Sequence, residues 1–268
     1  MSMERKARFA GLWYPDDPDE LKEIAGYGKS DEGYTMAVLP HAGLYYSAPI
    51  IKDFFSRAKS GIRRFIILSP SHYHPLKPDA LYTASFTESD TPFGKIRTER
   101  LNLDGAVDYD RAIQDEHGIE MFLPFVKEYG DADVSYALIS QVSSMDSIRD
   151  IASRLNNEID DDTALIASSD FTHYGLRFGY MPYGENGESK AVEKDSECAS
   201  LLARKKTEEA FRRFTHGTIC GIAPALIVSE VASRRKMEGK TGLHYTSNDV
   251  TGDKGSDFVS YQSVLWRK

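Results

Sequence analysis

Residues 36–43 read MAVLPHAG, an apolar run that ends at a proline and is followed at once by a histidine. Residues 65–72 (FIILSPSH) and 164–173 (ALIASSDFTH) repeat this arrangement, and residues 218–221 read TICG. Short apolar runs bounded by turn residues are typical of buried strands. Because ligands bind at the carboxyl ends of strands in open α/β sheets, these turns predict one shared pocket.

The segments around these runs alternate between strand and helix patterns. Residues 34–39 and 64–68 are predicted strands, and a helix pattern from about Ser47 joins them into one βαβ unit. We predict a single α/β domain over residues 1–268, an αβ sandwich whose central, mostly parallel (mixed) sheet is covered by helices. The other predicted strands are 79–85, 94–98, 134–142, 164–167, 243–246 and 258–266, and the other predicted helices are 115–129, 147–159, 189–205, 208–214 and 224–234.

The composition of the 268-residue chain is typical of a globular protein, with 41% hydrophobic and 28% charged residues. Its formal net charge of −8 argues against a nonspecific nucleic-acid or anionic-membrane partner. The two cysteines, Cys198 and Cys220, are too few for a disulfide framework and predict free thiols. The N-terminal residues lack a signal-peptide core, and no apolar run approaches the ~20 residues of a membrane span, which predicts a cytoplasmic protein.

His41, His72 and Cys220 are candidate metal ligands. His41 has small neighbours that leave room for a ligand, and prolines fix the turn around His72. Cys220 stands just before a predicted helix, whose N-terminal N–H groups lower the pKa of a thiol. Two imidazoles and a thiolate suit copper, zinc or iron. The alternatives are histidines that bond to backbone at strand ends and a cysteine buried as a small apolar residue.

His173, Asp170 and His117 are candidate catalytic residues. Asp170 lies three residues before His173, so its carboxylate could fix the tautomer of that imidazole for proton transfer. A capping role at the following turn is the alternative for Asp170. His117 and Glu120 share one face of a predicted helix, and we interpret them as pocket residues rather than primary ligands.

Six motifs occur in one order over nearly the whole chain, and together they resemble the Memo family (mediator of cell motility) and its prokaryotic relatives. That family is similar in fold to class III extradiol dioxygenases, in which two histidines and a carboxylate hold non-haem iron. The resemblance implies an αβ sandwich with its pocket at one end of the sheet. The motifs are residues 10–15 (AGLWYP), 40–43 (PHAG), 69–72 (SPSH), 116–121 (EHGIEM), 168–175 (SSDFTHYG) and 218–221 (TICG).

The resemblance also implies roles for individual residues. His41 and His72 match the two histidine ligands, and Cys220 stands at the family's third ligand position. His173 matches the acid/base histidine of the dioxygenases. Residues 116–118 are similar to the acidic-His-Gly motif that lines the dioxygenase substrate pocket.

Cys220 and Phe9 depart from these patterns. The thiol replaces the carboxylate of the facial triad expected at an oxygen-activating iron site. Phe9 stands where many Memo family members have a histidine, which predicts a less polar pocket rim if that position lines the pocket.

The sequence therefore supports two main hypotheses about function. The first is a non-haem metal-dependent dioxygenase or related oxidoreductase, with iron or copper (or zinc) and an unidentified substrate. The second is a copper- or iron-binding protein, or a scaffold for a small-molecule or peptide ligand, without turnover. In a third hypothesis, every histidine is satisfied by hydrogen bonds inside the protein and no functional site remains. The resemblance would then inform only the fold.

Overall fold

The computed structural model describes residues 3–253 and 255–268. Met1 and Ser2, which belong to the stretch without a signal-peptide pattern, lie outside the described residues. The strands are β1 (Glu4–Arg5), β2 (Tyr34–Leu39), β3 (Arg64–Ser69), β4 (Tyr82–Thr83), β5 (Glu88–Ser89), β6 (Ile96–Arg97), β7 (Val107–Asp108), β8 (Asp133–Leu138), β9 (Thr163–Ser168), β10 (His173–Tyr174), β11 (Glu238–Thr246) and β12 (Phe258–Arg267). The helices are α1 (Pro18–Ala25), α2 (Leu44–Arg57), α3 (Asp110–Asp115), α4 (His117–Glu120), α5 (Leu123–Tyr129), α6 (Met145–Glu158), α7 (Glu188–Ala203), α8 (Thr207–Phe214), α9 (Ile222–Arg234) and α10 (Ser247–Thr251).

A nine-stranded sheet forms the centre of the described part of the chain, in the order β10-β12-β2-β9-β3-β8-β4-β7, with β11 paired to β12. The four central strands β2, β9, β3 and β8 run parallel to one another. β12 and β4 join the two sides of this group as antiparallel strands. The predicted mixed, mostly parallel sheet is confirmed.

Both faces of the central sheet are buried. In β2, Ala37 and Leu39 belong to a core cluster with α1, α2 and α5, whereas Met36 and Val38 belong to a second cluster with α6, α7 and α9. Burial of such side chains contributes about 1.5–3 kcal/mol each for the larger aliphatic ones. Because each strand is covered on two sides, it appears in the sequence as a continuous apolar run. The predicted αβ sandwich is therefore confirmed.

The prediction that residues 115–129 are largely helical is confirmed, although the helix is not continuous. Asp115 ends α3, and the chain then forms α4 and α5 as separate short helices. The Glu116 side chain caps α4 by accepting a hydrogen bond from the Gly118 N–H, which begins a new helix there. Pro124 lies in the first turn of α5, where its missing N–H costs no intrahelical hydrogen bond.

Three strand predictions needed correction. Residues 79–85 and 94–98 contain only the two-residue strands β4, which lies between β8 and β7, and β6, which belongs to a separate three-stranded sheet of order β1-β5-β6. The strand predicted at 243–246 extends back to residue 238 as β11. Its first half is charged and glycine-containing and largely exposed, so it has no apolar periodicity to reveal it.

Both cysteines are free thiols, with Cys198 buried and Cys220 half-buried, as predicted. Within residues 3–253 and 255–268, helices that combine the length and the apolar character needed to cross a membrane are absent.

The carboxyl ends of β2, β3 and β9 lie at one edge of the sheet, because these three strands are parallel. The turn after β2 carries His41, the turn after β3 carries His72, and the turn after β9 carries Asp170 and leads to His173. Helix α4 packs against β3 near this edge. The topology thus brings together residues that are far apart in the chain.

Candidate metal centre

Three histidines form a compact cluster at this edge of the sheet. His41, His72 and His117 each offer one ring nitrogen, and the three nitrogens all lie within 4.8 Å of one another. The ring centroids are 4.9 Å apart for His41 and His72, 5.1 Å for His41 and His117, and 4.3 Å for His72 and His117. His117, interpreted from the sequence as a pocket residue, is therefore placed like a third ligand. Imidazole nitrogens grouped in this way can hold one metal ion.

The Cys220 thiol lies beside the cluster and contacts one of its members. Its Sγ is 3.2 Å from His41 Nε2 and 3.6 Å from the Asp170 carbonyl oxygen. Although part of the residue reaches solvent, desolvation by the surrounding protein raises the pKa of Cys220 well above its ordinary value, and the Asp170 charge adds to this. The N–H of Gly221, at the start of α9, lowers this pKa as predicted, but desolvation outweighs it, so the predicted net lowering was wrong. A bound cation would instead favour the thiolate.

Glu116 fixes the orientation of His72. One carboxylate oxygen accepts a hydrogen bond from His72 Nδ1 at 2.7 Å, and the other accepts from the His72 backbone N–H at 2.7 Å. Burial alone would raise the pKa of Glu116, but the hydrogen bond and charge of His72 outweigh it, and the pKa lies below its usual value. An ionised carboxylate only accepts, so Nδ1 of His72 carries a proton, which in the neutral ring leaves the lone pair on Nε2.

Ser168 fixes the orientation of His41. The Ser168 hydroxyl donates to the Gly118 carbonyl at 2.6 Å, and its oxygen lies 2.6 Å from His41 Nδ1. Because the hydroxyl has only one proton, Nδ1 of His41 is the donor in the second bond, and its Nε2 faces the Cys220 thiol at 3.2 Å. Burial lowers the pKa of His41 well below its ordinary value, and the nearby histidines lower it further. His41 is therefore neutral, which is the form that binds metal.

His117 has an unsatisfied nitrogen in the cluster. Its Nδ1 is buried and makes no hydrogen bond among the described residues, although Glu116 Oε1 lies 3.3 Å away. Burial lowers the pKa of His117 to about 3, so the ring is neutral near pH 7. The ring of Trp13 packs against it with centroids 4.3 Å apart. A buried polar atom without a hydrogen bond is costly. The donor set fits a metal, because each of the three neutral or neutralisable imidazoles offers one nitrogen within 4.8 Å of the others.

The side chains of Asp170 and His173 make hydrogen bonds to different partners and not to each other among the described contacts. Asp170 accepts hydrogen bonds from the backbone N–H groups of His41 at 2.8 Å and Ala42 at 3.3 Å, and burial raises its pKa. Asp170 thus holds the turn of His41, which differs from the predicted hydrogen bond to His173. His173 Nδ1 is instead near the carbonyl oxygens of Thr218, at 3.0 Å, and Phe171, at 3.2 Å. Both partners are acceptors, so Nδ1 is protonated, and in the neutral ring the lone pair is on Nε2.

These histidines line a cavity of about 590 Å³, which is in the range of small-molecule sites. Leu12 at its mouth is 78% exposed and Tyr45 is 67% exposed, so the rim is apolar. Phe9 is buried behind His117, with ring centroids 5.8 Å apart. The other aromatic lining residues are Trp13, Tyr46, Phe178, Phe258 and Tyr261, and the charged or imidazole lining residues are His41, His72, His117, Asp170, His173, Arg177 and Asp257.

Sequence reasoning missed the two groups that orient the ligand histidines. Glu116 appeared only as part of a pocket-lining motif, and Ser168 only as part of a motif around His173. The signal for Glu116 was its place next to His117. Ser168 gave no such signal, because its role depends on the pairing of distant segments.

The neutral burial of His41 and His117 predicts that the metal-free protein loses stability in acid. The ordinary pKa of 6.5 applies in the unfolded chain, whereas the folded pKa is about 3 for His117 and well below 6.5 for His41. The unfolded state therefore binds more protons below pH 6.5, and stability falls as the pH falls toward the folded values. For His117 alone, the loss between pH 7 and pH 5 is about 2 kcal/mol.

Urea unfolding at several pH values, in the presence of a chelator, measures this loss. His117→Gln should lose less stability between pH 7 and pH 5 than the parent protein, whereas a variant of the exposed His216, His216→Gln, should behave like the parent. An equal acid response in the parent and in His117→Gln would contradict the assignment.

The fold and the site define an α/β sandwich protein with a histidine-rich cavity at the carboxyl ends of its parallel strands. The family model described as Memo-like protein matches residues 5–265. The chain belongs to the Memo family, as the sequence motifs predicted. Similar proteins called MEMO1 family protein come from Thermococcus onnurineus (28% identity over 99% of this chain and 100% of the relative), Aquifex aeolicus (27%, 98% and 98%) and Saccharomyces cerevisiae (26%, 97% and 97%).

Proposed function

We propose that this protein holds a transition-metal ion in the cluster of His41, His72 and His117. The observation that carries the proposal is the convergence of three ligand nitrogens, within 4.8 Å of one another, in one cavity. Two of the rings donate from Nδ1 to protein groups, which in the neutral rings leaves the Nε2 lone pairs for a metal. The third ring has a buried nitrogen without a hydrogen-bond partner among the described residues.

The donor set favours copper or iron, with zinc as an alternative. Imidazole suits all three ions, and the Cys220 thiol beside His41 adds a soft ligand that copper in particular prefers. Within the described residues, the compact cluster consists of histidines alone. It therefore differs from the two-histidine, one-carboxylate site of non-haem iron oxygenases.

We further infer an oxidoreductase of dioxygenase type that acts on a small molecule in the cavity. A bound metal ion would supply Lewis-acid or electron-transfer chemistry. His173 would take up or release a proton through Nε2, because its Nδ1 is held by two carbonyl groups. The aromatic walls, including Trp13 and Tyr46, would hold an apolar part of the substrate.

A metal carrier or a peptide-binding scaffold is the second candidate. Its support is the apolar rim of the cavity, where Leu12 is 78% and Tyr45 is 67% exposed, since exposed apolar rims mark binding surfaces. Oxygen consumption by the metal-loaded protein with a panel of catechols separates the candidates. Uptake that requires His173 supports the enzyme, whereas tight metal binding without uptake for any substrate supports the carrier or scaffold.

Protein purified without an affinity tag should contain close to one equivalent of a transition metal, or take up one equivalent of zinc after chelation. Cys220→Ala should weaken zinc binding by about 10-fold, a small loss because Sγ contacts only one cluster histidine. Elemental analysis and competition with a chromogenic chelator measure both quantities. A parent protein that neither contains nor binds metal would remove the proposal.

A further inference from the structure

The hydrogen bonds that orient the two strand-end histidines both lead to one short segment, residues 116–120, which we call the anchor segment. Glu116 accepts from His72 Nδ1 at 2.7 Å. The Gly118 carbonyl accepts from Ser168, whose oxygen accepts from His41 Nδ1. His117, the third member of the cluster, lies in the same segment. The position of the anchor segment therefore sets all three imidazoles.

The anchor segment fits tightly against the ends of β3 and β9. A Cβ atom at Gly118 would lie 3.1 Å from Ser168 Oγ and 3.2 Å from Glu116 Oε1, and still closer to Ser69 Oγ. Only glycine fits at this position, so the segment packs directly against Ser69 and Ser168 at the ends of β3 and β9. A small shift of the segment would therefore move Ser168 and, through it, the hydrogen bond to His41.

A buried ion pair ties the anchor segment to the N-terminal part of the chain. Glu120 and Arg5 are both fully buried, and their charged groups are 2.8 Å apart. The Glu120 carboxylate also accepts from the Phe9 N–H at 2.6 Å, the Arg8 N–H at 3.1 Å and the Tyr14 hydroxyl at 2.9 Å. Four donors thus surround one carboxylate, which satisfies its oxygens.

Arg5 reaches both ends of the anchor segment. Besides pairing with Glu120, its guanidinium donates to the Glu116 carbonyl at 2.9 Å and to the Ile113 carbonyl at 3.2 Å. The fork of donors on one rigid group fixes the distance between the first and last residues of the segment. Well-packed apolar residues often stabilise a fold as well as a buried ion pair does, so stability alone gives little reason for this pair.

We propose that Arg5 and Glu120 are positioning residues of the histidine cluster, acting through the anchor segment on the tautomers of His41 and His72. This inference rests on the proposed metal site, which it deepens. The pair lies outside the cavity and touches none of the three imidazoles as a hydrogen-bond partner within the described residues. Its effect on metal binding is therefore indirect and carried by backbone position.

Two substitutions test the proposal. Glu120→Gln removes the charge of the ion pair, and Tyr14→Phe is a milder change. Tyr14→Phe removes one of the donors to Glu120 and leaves the ion pair in place. Tyr27→Phe is the matched control, because the Tyr27 hydroxyl donates to the Phe125 carbonyl on α5 and not to the anchor segment. Each protein is labelled with ¹⁵N-histidine, and ring nitrogen shifts of the metal-free form report the tautomers. The zinc Kd is measured by chelator competition.

We expect the parent and Tyr27→Phe to show His41 and His72 as single Nδ1–H tautomers with equal zinc Kd. Glu120→Gln should raise the zinc Kd by about 10-fold and give mixed tautomers, and Tyr14→Phe should raise it by about 3-fold. If Glu120→Gln does not fold, the result for Tyr14→Phe tests the positioning role alone. Parent-like tautomers and zinc Kd in the folded variants would overturn the positioning role. A parent protein that binds no zinc would instead refute the metal site. The positioning role would then be tested by the tautomers of His41 and His72 in the metal-free parent and variants.

Discussion

Replacing His41 by alanine is expected to weaken zinc binding by about 100-fold or more. Structural zinc sites with four ligands bind with about 10–16 kcal/mol, so one ligand accounts for about 3 kcal/mol, which is about 100-fold in Kd. His41 is central to this site, because its ring lies next to His72, His117 and the Cys220 thiol. Its removal therefore takes away one ligand and the contact that holds the thiol. Chelator competition with the metal-free protein measures the change.

His216→Ala is the matched control for this substitution. His216 is exposed, and it lies outside the three-histidine cluster. Its variant should bind zinc like the parent, and circular dichroism should show that both variants fold. Equal zinc Kd for His41→Ala and His216→Ala would place the metal elsewhere on the protein and contradict the cluster.

Replacing Gly221 by alanine is expected to destabilise the protein by about 3 kcal/mol. A Cβ atom at this position would lie 2.5 Å from Ser169 Cβ and 2.8 Å from Ser169 Cα, and closer still to the Ser168 carbonyl oxygen. These neighbours are mostly backbone at the end of β9 and cannot rotate away. The Gly221 N–H also donates to Ser169 Oγ at 3.1 Å, a bond that the displaced chain would lose.

Urea unfolding of the metal-free protein measures this loss, with Gly28→Ala as the control. A Cβ atom at Gly28 would meet no heavy atom within 4 Å, so that variant should stay within about 0.5 kcal/mol of the parent. Because Gly221 follows Cys220, the strained variant should also bind copper less tightly. A Gly221→Ala protein as stable as the parent would show that the α9 start does not pack against β9 as described.

The fold was readable from the sequence because its central strands are buried on both faces. The apolar runs before His41 and His72 end at prolines, so the strand ends and the side chains just beyond them were predicted together. Parallel strand pairing then places both turns at one edge. The sequence did not predict where the short helices around Pro124 begin and end. Capping residues, and not hydrophobic periodicity, decide those limits.

The position of His117 in the cluster could not be predicted from the sequence in the same way. His117 reaches the site because its segment is held by Arg5, which is 115 residues from Glu120 in the chain. Local periodicity carries no information about such a pairing. The same holds for Asp170, whose carboxylate binds the turn of His41 across 129 residues. The pKa of Cys220 depends on desolvation by the folded protein, which helix position alone did not indicate.

Anomalous diffraction at the zinc edge, from crystals of the zinc-loaded protein, locates the bound ion itself. We expect one ion in the cavity, with nitrogen atoms of His41, His72 and His117 at about 2.0–2.1 Å from it. Cys220 Sγ would lie at about 2.3 Å if the thiolate completes the site. An ion bound only by surface carboxylates, or a cavity in which none of the three imidazoles contacts zinc, would contradict the proposed metal site.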